Sequence, residues 1–129
     1  MQPGSDFRHV TLGLIMKVGF LDFYNDVLNV RQERSALIAN NIANADTPNY
    51  KAVDVSFDSA LASQLGAVGS TSPEYRTDGV VGLNGNDVSL DTERVDASAN
   101  GEAMEAAVTF LHQSTANLVT ALRPNPSGI

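Results

Sequence analysis

The sequence predicts a mainly α-helical chain. Two long helices, one toward each end, pair as a coiled-coil-like hairpin around a short irregular middle that holds a β-hairpin. Three observations carry this reading. An apolar stripe at helical spacing runs from Val18 to Ala45. A heptad pattern runs from Leu90 to Leu122. Between them lies a polar stretch rich in Gly, Ser, Asn and Pro, whose residue types favour turns. At 129 residues the chain is expected to be one domain. Its segments are expected at 1–15, 16–57, 58–90, 91–123 and 124–129.

Residues 1–15 read as a flexible lead-in, because Gln2-Pro-Gly-Ser-Asp6 is turn chemistry. An upstream start, a cloning remnant and a disordered tail all remain open for it. The first helix follows. Phe20, Phe23, Val27, Val30 and Leu37 keep a three-four rhythm, and Leu21, Tyr24, Leu28, Ile38, Ile42 and Ala45 form a second row beside it. Together they make a stripe wide enough for a buried face. Arg31, Arg34 and Ser35 interrupt it, as a solvated patch with snorkelling arginine stems or as a polar contact between chains. The helix would be roughly 40 Å long and needs a partner of similar length.

The period changes between Leu37 and Phe57. Leu37, Ile38, Ile42 and Ala45 still recur at helical steps, whereas Val53, Val55 and Phe57 alternate with Ala52, Asp54 and Ser56 at strand spacing. Pro48 has no N–H to continue a helix and pushes Thr47 toward extended backbone, so the helix ends here and an extended segment leaves. Asn40, Asn41 and Asn44 are poor helix formers. They cap a solvated last turn, or they hold amides in register for another chain.

The middle segment, 58–90, opens with a short helical piece from Asp58 to Leu65. Gly66 to Pro73 reads as loop. Asn84-Gly85 between Val80-Val-Gly-Leu83 and Asn86-Asp-Val-Ser-Leu90 predicts the β-hairpin. In the segment 91–123, Leu90, Ala97, Met104, Leu111 and Leu118 are spaced by seven, and Val108 and Leu122 fill intermediate positions. Asp91 is the expected N-cap, with Glu93 in the first turn. A break or kink at Asn100-Gly101 would put Glu102 in the first turn of a second piece. Pro124 and Pro126 stop the helix, and 124–129 is a loose tail. The two seams pair with each other, or they find their partners only within an assembly.

Composition narrows the function. The net charge is −7, of which residues 58–129 carry −6. Without a basic patch, neither nucleic acid nor an anionic membrane surface is an expected partner. The tract from Thr11 to Leu21 is interrupted by Lys17 and is too short to insert in a membrane; no cleavage site for a leader follows it. The absence of Cys removes disulfides and thiolate chemistry. His9 and His112 have no supporting cluster, so no metal site is expected. Gly82 to Leu90 holds one copy of a pattern like a calcium-binding nonapeptide, which binds only when stacked, and it reads as a turn. Asp91, Glu93 and Asp96 read as a solvated helix start. Neither an enzymatic constellation nor a cofactor is expected.

Ala39-Asn-Asn-Ile-Ala-Asn-Ala-Asp-Thr-Pro-Asn-Tyr50 resembles the N-terminal signature of the flagellar rod and hook axial proteins, and the likeness continues through Lys51 to Phe57. It extends more loosely from Met16, where Met-Lys-Val-Gly-Phe-Leu looks like a start, to Leu122. The resemblance implies a structural subunit of the proximal rod of the bacterial flagellar basal body, in the periplasm. It implies export through the flagellar channel without a cleaved signal peptide, and terminal helices that order on helical assembly. Self-association, other rod proteins and the export-gate adaptor are the implied partners. The expected assembly motif is Asn40, Asn41, Asn44, Asp46, Thr47, Pro48, Tyr50 and Phe57. The expected seams are Phe20, Tyr24, Val27, Leu28, Leu37, Ile38, Ile42, Leu90, Met104, Val108, Leu111, Leu118 and Leu122. A soluble helical adaptor or export chaperone, holding one partner in the cytoplasm, is the competing reading.

Overall fold

A computed structural model describes residues 5–66, 73–76 and 80–123, with side chains from residue 8. Helix α1 spans Ser5–Ala43, strand β1 Val53–Asp54, helix α2 Phe57–Gln64, strand β2 Glu74–Tyr75 and helix α3 Leu90–Leu122. The chain is mainly helical, with two long helices enclosing a small middle segment. At 39 and 33 residues, α1 and α3 are roughly 58 and 50 Å long.

α1 and α3 lie antiparallel. At one end Phe110 packs on Phe20 and Tyr24, with ring centroids 5.4 and 4.9 Å apart. At the other end Asn41 hydrogen-bonds Glu93. We call these ends the tip and the hub. The middle segment folds back on the hub half of α1. There Val30, Val55 and Ala60 form a small apolar core flanked by Leu37, Phe57 and Leu61.

Several elements differ from expectation. α1 begins at Ser5, so the stretch expected as a lead-in is helical from there. The run Thr11-Leu-Gly-Leu-Ile-Met16 contains no proline to stop the helix. The N-cap of α3 is Ser89, not Asp91; its Oγ accepts from Thr92 N at 3.4 Å. α3 passes through Gly101 without a break, and the alanine-rich sequence after it supports the helix. The antiparallel sheet is not formed around Asn84-Gly85. It pairs β1 with β2, in the register Val53 with Tyr75 and Asp54 with Glu74. Asn84-Gly85 does make a tight turn, closed by Gly82 N donating to Asn86 O at 2.7 Å. The side chains that follow it are used elsewhere, as the next section describes. Pro124, Pro126 and the tail lie outside the described residues, as does the loop at 67–72.

The inward row of α3 is polar. Glu93, Asn100 and Ala107 are buried, and half-buried Ser114 extends the same seven-residue spacing. The apolar heptad lies beside that row. Met104, Leu111 and Leu118 are half-buried, whereas Leu90, Ala97, Val108 and Leu122 are exposed. On α1, Val30 and Ile38 are buried; Leu21, Tyr24, Val27, Leu28 and Leu37 are half-buried; Phe20, Phe23 and Ile42 are exposed. Polar side chains can occupy the inside because α1 supplies their partners. Asn100 Nδ2 donates to Arg31 O and Ser35 Oγ at 2.9 and 2.8 Å, and its Oδ1 accepts from Arg31 Nη1 at 3.3 Å. The interruption of the α1 stripe at Arg31 and Ser35 is thus a contact within the chain.

Candidate assembly site

The Asn-rich end of α1 and the turn after it form a hydrogen-bonded joint. α1 unwinds in successive turns, with Thr47 N donating to Asn44 O and Tyr50 N to Thr47 O. Asn49 then takes a left-handed backbone, φ 62°, which asparagine tolerates better than most residues. The reversal points residues 51–55 back along α1.

Asn41 holds that reversal in place. Its side chain is buried and uses both ends. Nδ2 donates to Val53 O at 2.8 Å and to Glu93 Oε1 at 3.2 Å. Oδ1 accepts from Val53 N at 3.0 Å and from the Tyr50 hydroxyl at 3.1 Å. One amide therefore satisfies both backbone groups of Val53 and ties α1 to β1 and α3. Each such bond contributes roughly 1 kcal/mol, and stranding the buried partners would cost more.

A second asparagine, Asn86, closes the joint from the other side. Its Nδ2 donates to Asn44 O and Thr47 O at 2.8 and 2.7 Å, and its Oδ1 accepts from Val88 N at 2.8 Å. Asp87 Oδ1 accepts from Ala52 N at 2.6 Å. Lys51 Nζ donates to Gly85 O at 2.7 Å, and Asn49 N to Asn84 O at 2.9 Å. Gly85 has φ 79°, and a Cβ there would strike Asn49 Oδ1, so glycine is required on both counts. The 82–88 loop is thus latched onto the 44–52 turn.

A charge network completes the hub. Arg34 clasps Asp54 in a bidentate pair, both bonds 3.1 Å, and stands 3.8 Å from Asp96. Arg76 meets Asp96 at 2.8 Å and Glu93 at 3.3 Å. Burial raises the Glu93 carboxyl above its ordinary pKa; Asp96 and Asp54 add to that, while the bond from Asn41 and the charge of Arg76 oppose it. The bond to Asp54 raises Arg34 against the effect of burial. Burial, then Glu93 and Asp87, raises the Tyr50 phenol. Burial, then Arg34, lowers Arg31, whose guanidinium stacks 3.8 Å from the Phe57 ring centre.

The expected motif residues divide into two groups. Asn41 and Tyr50 face the joint, half-buried Asn44 bonds within its own turn, and Phe57 flanks the apolar core beneath Arg31. Asn44 Nδ2 donates to Asn40 O, and its Oδ1 accepts from Thr47 Oγ1. The side chains of Asn40, Asp46, Thr47 and Pro48 are exposed on its outer surface. Sequence reasoning missed Arg34, Arg76, Asn86, Asp87, Glu93 and Asn100 as joint residues. A signal for two of them was present: Glu93 and Asn100 share a seven-residue spacing with Ala107 and Ser114, beside the apolar heptad. Chemically, the arrangement is a stiff joint that fixes the direction of a helical hairpin. Among the described residues no group of three or more acidic, Cys or His side chains could hold a metal ion.

The comparisons fit this geometry. A family model described as "Flagella basal body rod protein" matches residues 28–51, the hub half of α1 and the Asn-rich turn. The chain is 31% identical over 127 residues to the flagellar basal body rod protein FlgB of Salmonella typhimurium, covering 80% of this chain and 92% of the relative. It is 29% identical over 127 residues to the Escherichia coli K12 protein of that name, with the same coverage. The Proteus mirabilis protein is 28% identical over 125 residues, covering 78% of this chain and 91% of the relative.

Proposed function

Since the chain belongs to the FlgB family of flagellar basal-body rod proteins, we propose that it joins the proximal rod through the apolar flanks of its helical hairpin. It is a structural subunit of the rod, and the family favours that role over a soluble adaptor or export chaperone. The finer reading is that self-association and contacts with other rod proteins, together with the export-gate adaptor, cover its two helices. One observation carries it. Toward the tip, apolar side chains on both helices stay substantially exposed among the described residues. Leu12, Ile15, Met16, Val18 and Phe20 on α1, and Phe110, Val119 and Leu122 on α3, are exposed, Met16 by 69%. Such a surface marks an interaction site. Among the described residues, no helix is long and apolar enough to cross a membrane.

A rod grows by heterologous contacts that do not close. In this reading the hub sets the direction of each hairpin and the tip flanks make the contacts. Asn41, Asn44, Thr47 and Tyr50 serve assembly by holding that direction, and Asn40, Asp46 and Pro48 offer their exposed side chains to a neighbour. Cross-linking of purified basal bodies tests the reading. Cross-links from the tip halves of α1 and α3 to other rod chains are expected. A chain that forms a stable dimer, never grows and is absent from basal bodies would overturn it. Motility left intact by the paired substitutions Asn41→Ala and Asn44→Ala would remove the joint from the mechanism.

A further inference from the structure

The turn that latches the hub is built on an Asn–Gly pair, and that pair carries a covalent chemistry of its own. Asn84 is exposed, as is Leu83 before it. Asn84 Oδ1 accepts from Asn86 N at 3.1 Å, which folds the side-chain amide forward over Gly85. Gly85 has no Cβ to shield its nitrogen. The N–H of Asn86 is a donor already aimed at the oxygen that gains charge when the side-chain carbonyl is attacked. Gly85 N itself donates to Gly82 O at 2.9 Å, and this bond must open before the nitrogen can act as a nucleophile. Opening a bond at an exposed turn costs little beside opening the interior of a packed helix.

Asn100–Gly101 is the other Asn–Gly pair of the chain, and its surroundings are the opposite. Asn100 is only 1% exposed, and its amide is held by Arg31 and Ser35. Gly101 lies inside α3, where backbone N–H groups serve the helical ladder. Ammonia cannot leave this amide, nor water reach it, without parting α3 from α1.

We propose that Asn84 is a site of spontaneous deamidation, and that its conversion releases the 82–88 loop from the 44–52 turn. Gly85 N, its proton lost to solvent base, forms a bond to Asn84 Cγ. The Cγ–Nδ2 bond breaks, and the nitrogen leaves as ammonia with a proton supplied by water. The product is a cyclic succinimide, which water then opens. Attack at Cγ breaks the new bond and gives aspartate. Attack at the main-chain carbonyl carbon of residue 84 breaks its bond to nitrogen and gives isoaspartate. Water is the only reactant besides the chain, and nothing is oxidised or reduced. Isoaspartate routes the main chain through Cβ and Cγ and so lengthens it. The peptide carbonyl that accepts from Asn49 N at 2.9 Å becomes a side-branch carboxylate. The turn is closed by Gly82 N donating to Asn86 O, and it places Gly85 O for Lys51 and the Asn86 amide for Asn44 O and Thr47 O. A longer link between residues 84 and 85 puts these contacts out of register. The latch thus has a one-way release. Each opening of the turn frees Gly85 N, and conversion keeps the loop from closing again. The chemistry needs only the chain itself, whether or not it stands in a rod.

The test ages the full-length chain for days in warm, mildly alkaline buffer. Peptide mapping with an isoaspartate assay, melting temperature and amide hydrogen exchange are the readouts. Amide-to-acid conversion at Asn84 is expected to run at least about tenfold faster than at Asn100. The converted chain is expected to lose exchange protection at Asn49 N and to melt below the fresh chain. Asn84→Gln, whose longer side chain closes a larger ring far more slowly, is expected to keep its fresh melting temperature through the same treatment. An Asn84 amide that survives, or that is lost no faster than that of Asn100, would overturn the inference. So would a converted chain in which Asn49 N stays protected. If Asn84→Gln does not fold, mapping and exchange on the wild-type chain decide alone.

Discussion

At the scale of single residues, Asn40 and Asn41 are adjacent asparagines with opposite surroundings. Asn40 is exposed, and no hydrogen bond from its side chain enters the joint; Asn41 makes four bonds from a buried position. Asn41→Ala would strand Val53 N, Val53 O and the Tyr50 hydroxyl and weaken the hold on Glu93. A loss of ~3 kcal/mol is expected in urea unfolding. Asn40→Ala should stay within about 0.5 kcal/mol of wild type in the same assay. Glu93 adds a pH dependence. It faces Asn41 from α1, Arg76 beyond β2, Asp96 on its own helix and Asp54 on β1, with Tyr50 and Asp87 near by. Its folded-state pKa lies above the unfolded value, so the folded chain holds this proton more tightly. The stability it contributes is fully present below the unfolded pKa and is lost as pH rises through the folded one. Wild type should therefore fall increasingly behind Glu93→Gln as pH climbs from the ordinary glutamate range toward neutrality. Parallel melting scans of the two chains measure the gap, and a gap that stays constant with pH would contradict the assignment.

At the scale of elements, the long helices were legible because periodicity is a local signal. The stripe from Phe20 to Ile42 and the heptad from Leu90 to Leu118 are visible without knowing any partner. The inner face of α3 was not, because Glu93 and Asn100 are polar and only become buriable once Asn41, Arg31 and Ser35 stand opposite. Those pairings join residues 52 to 69 positions apart. The Asn84-Gly85 turn was legible as a turn. The expected hairpin failed because Asn86 and Asp87 bond the 44–52 turn, and Val53 pairs with Tyr75 instead. The motif from Asn40 to Tyr50 was readable as a site; its counterpart on the 82–88 loop carried no local mark of where it would dock. Gly101 gives a prediction at this scale. It lies within an unbroken helix, exposed, and an added Cβ would meet nothing within 4 Å. Gly101→Ala should stabilise the chain by about 0.5–1 kcal/mol, read as a higher melting temperature.

At the scale of the whole molecule, stabilising contacts are unevenly spread along the hairpin. The hub combines the Val30, Val55 and Ala60 core with the Asn41 and Asn86 bonds and the Arg34 and Arg76 ion pairs. Toward the tip, the described aromatic contacts join Phe20, Phe23, Tyr24 and Phe110. Phe110→Ala should cost about 1–2 kcal/mol. It should also speed amide hydrogen exchange in the tip halves of both helices while leaving the hub amides protected. Equal acceleration in both regions would mean that the hairpin opens as one unit. A tip that opens before the hub suits a subunit whose apolar flanks exchange one set of helical neighbours for another.

The antiparallel course of α1 and α3 also bears on how the protein can be labelled. The first turns of one helix and the last turns of the other stand side by side, roughly 50 Å from Glu93. A fluorophore or affinity handle near Arg8 would crowd the same neighbours as one near Arg123, so moving it between them would bring no relief.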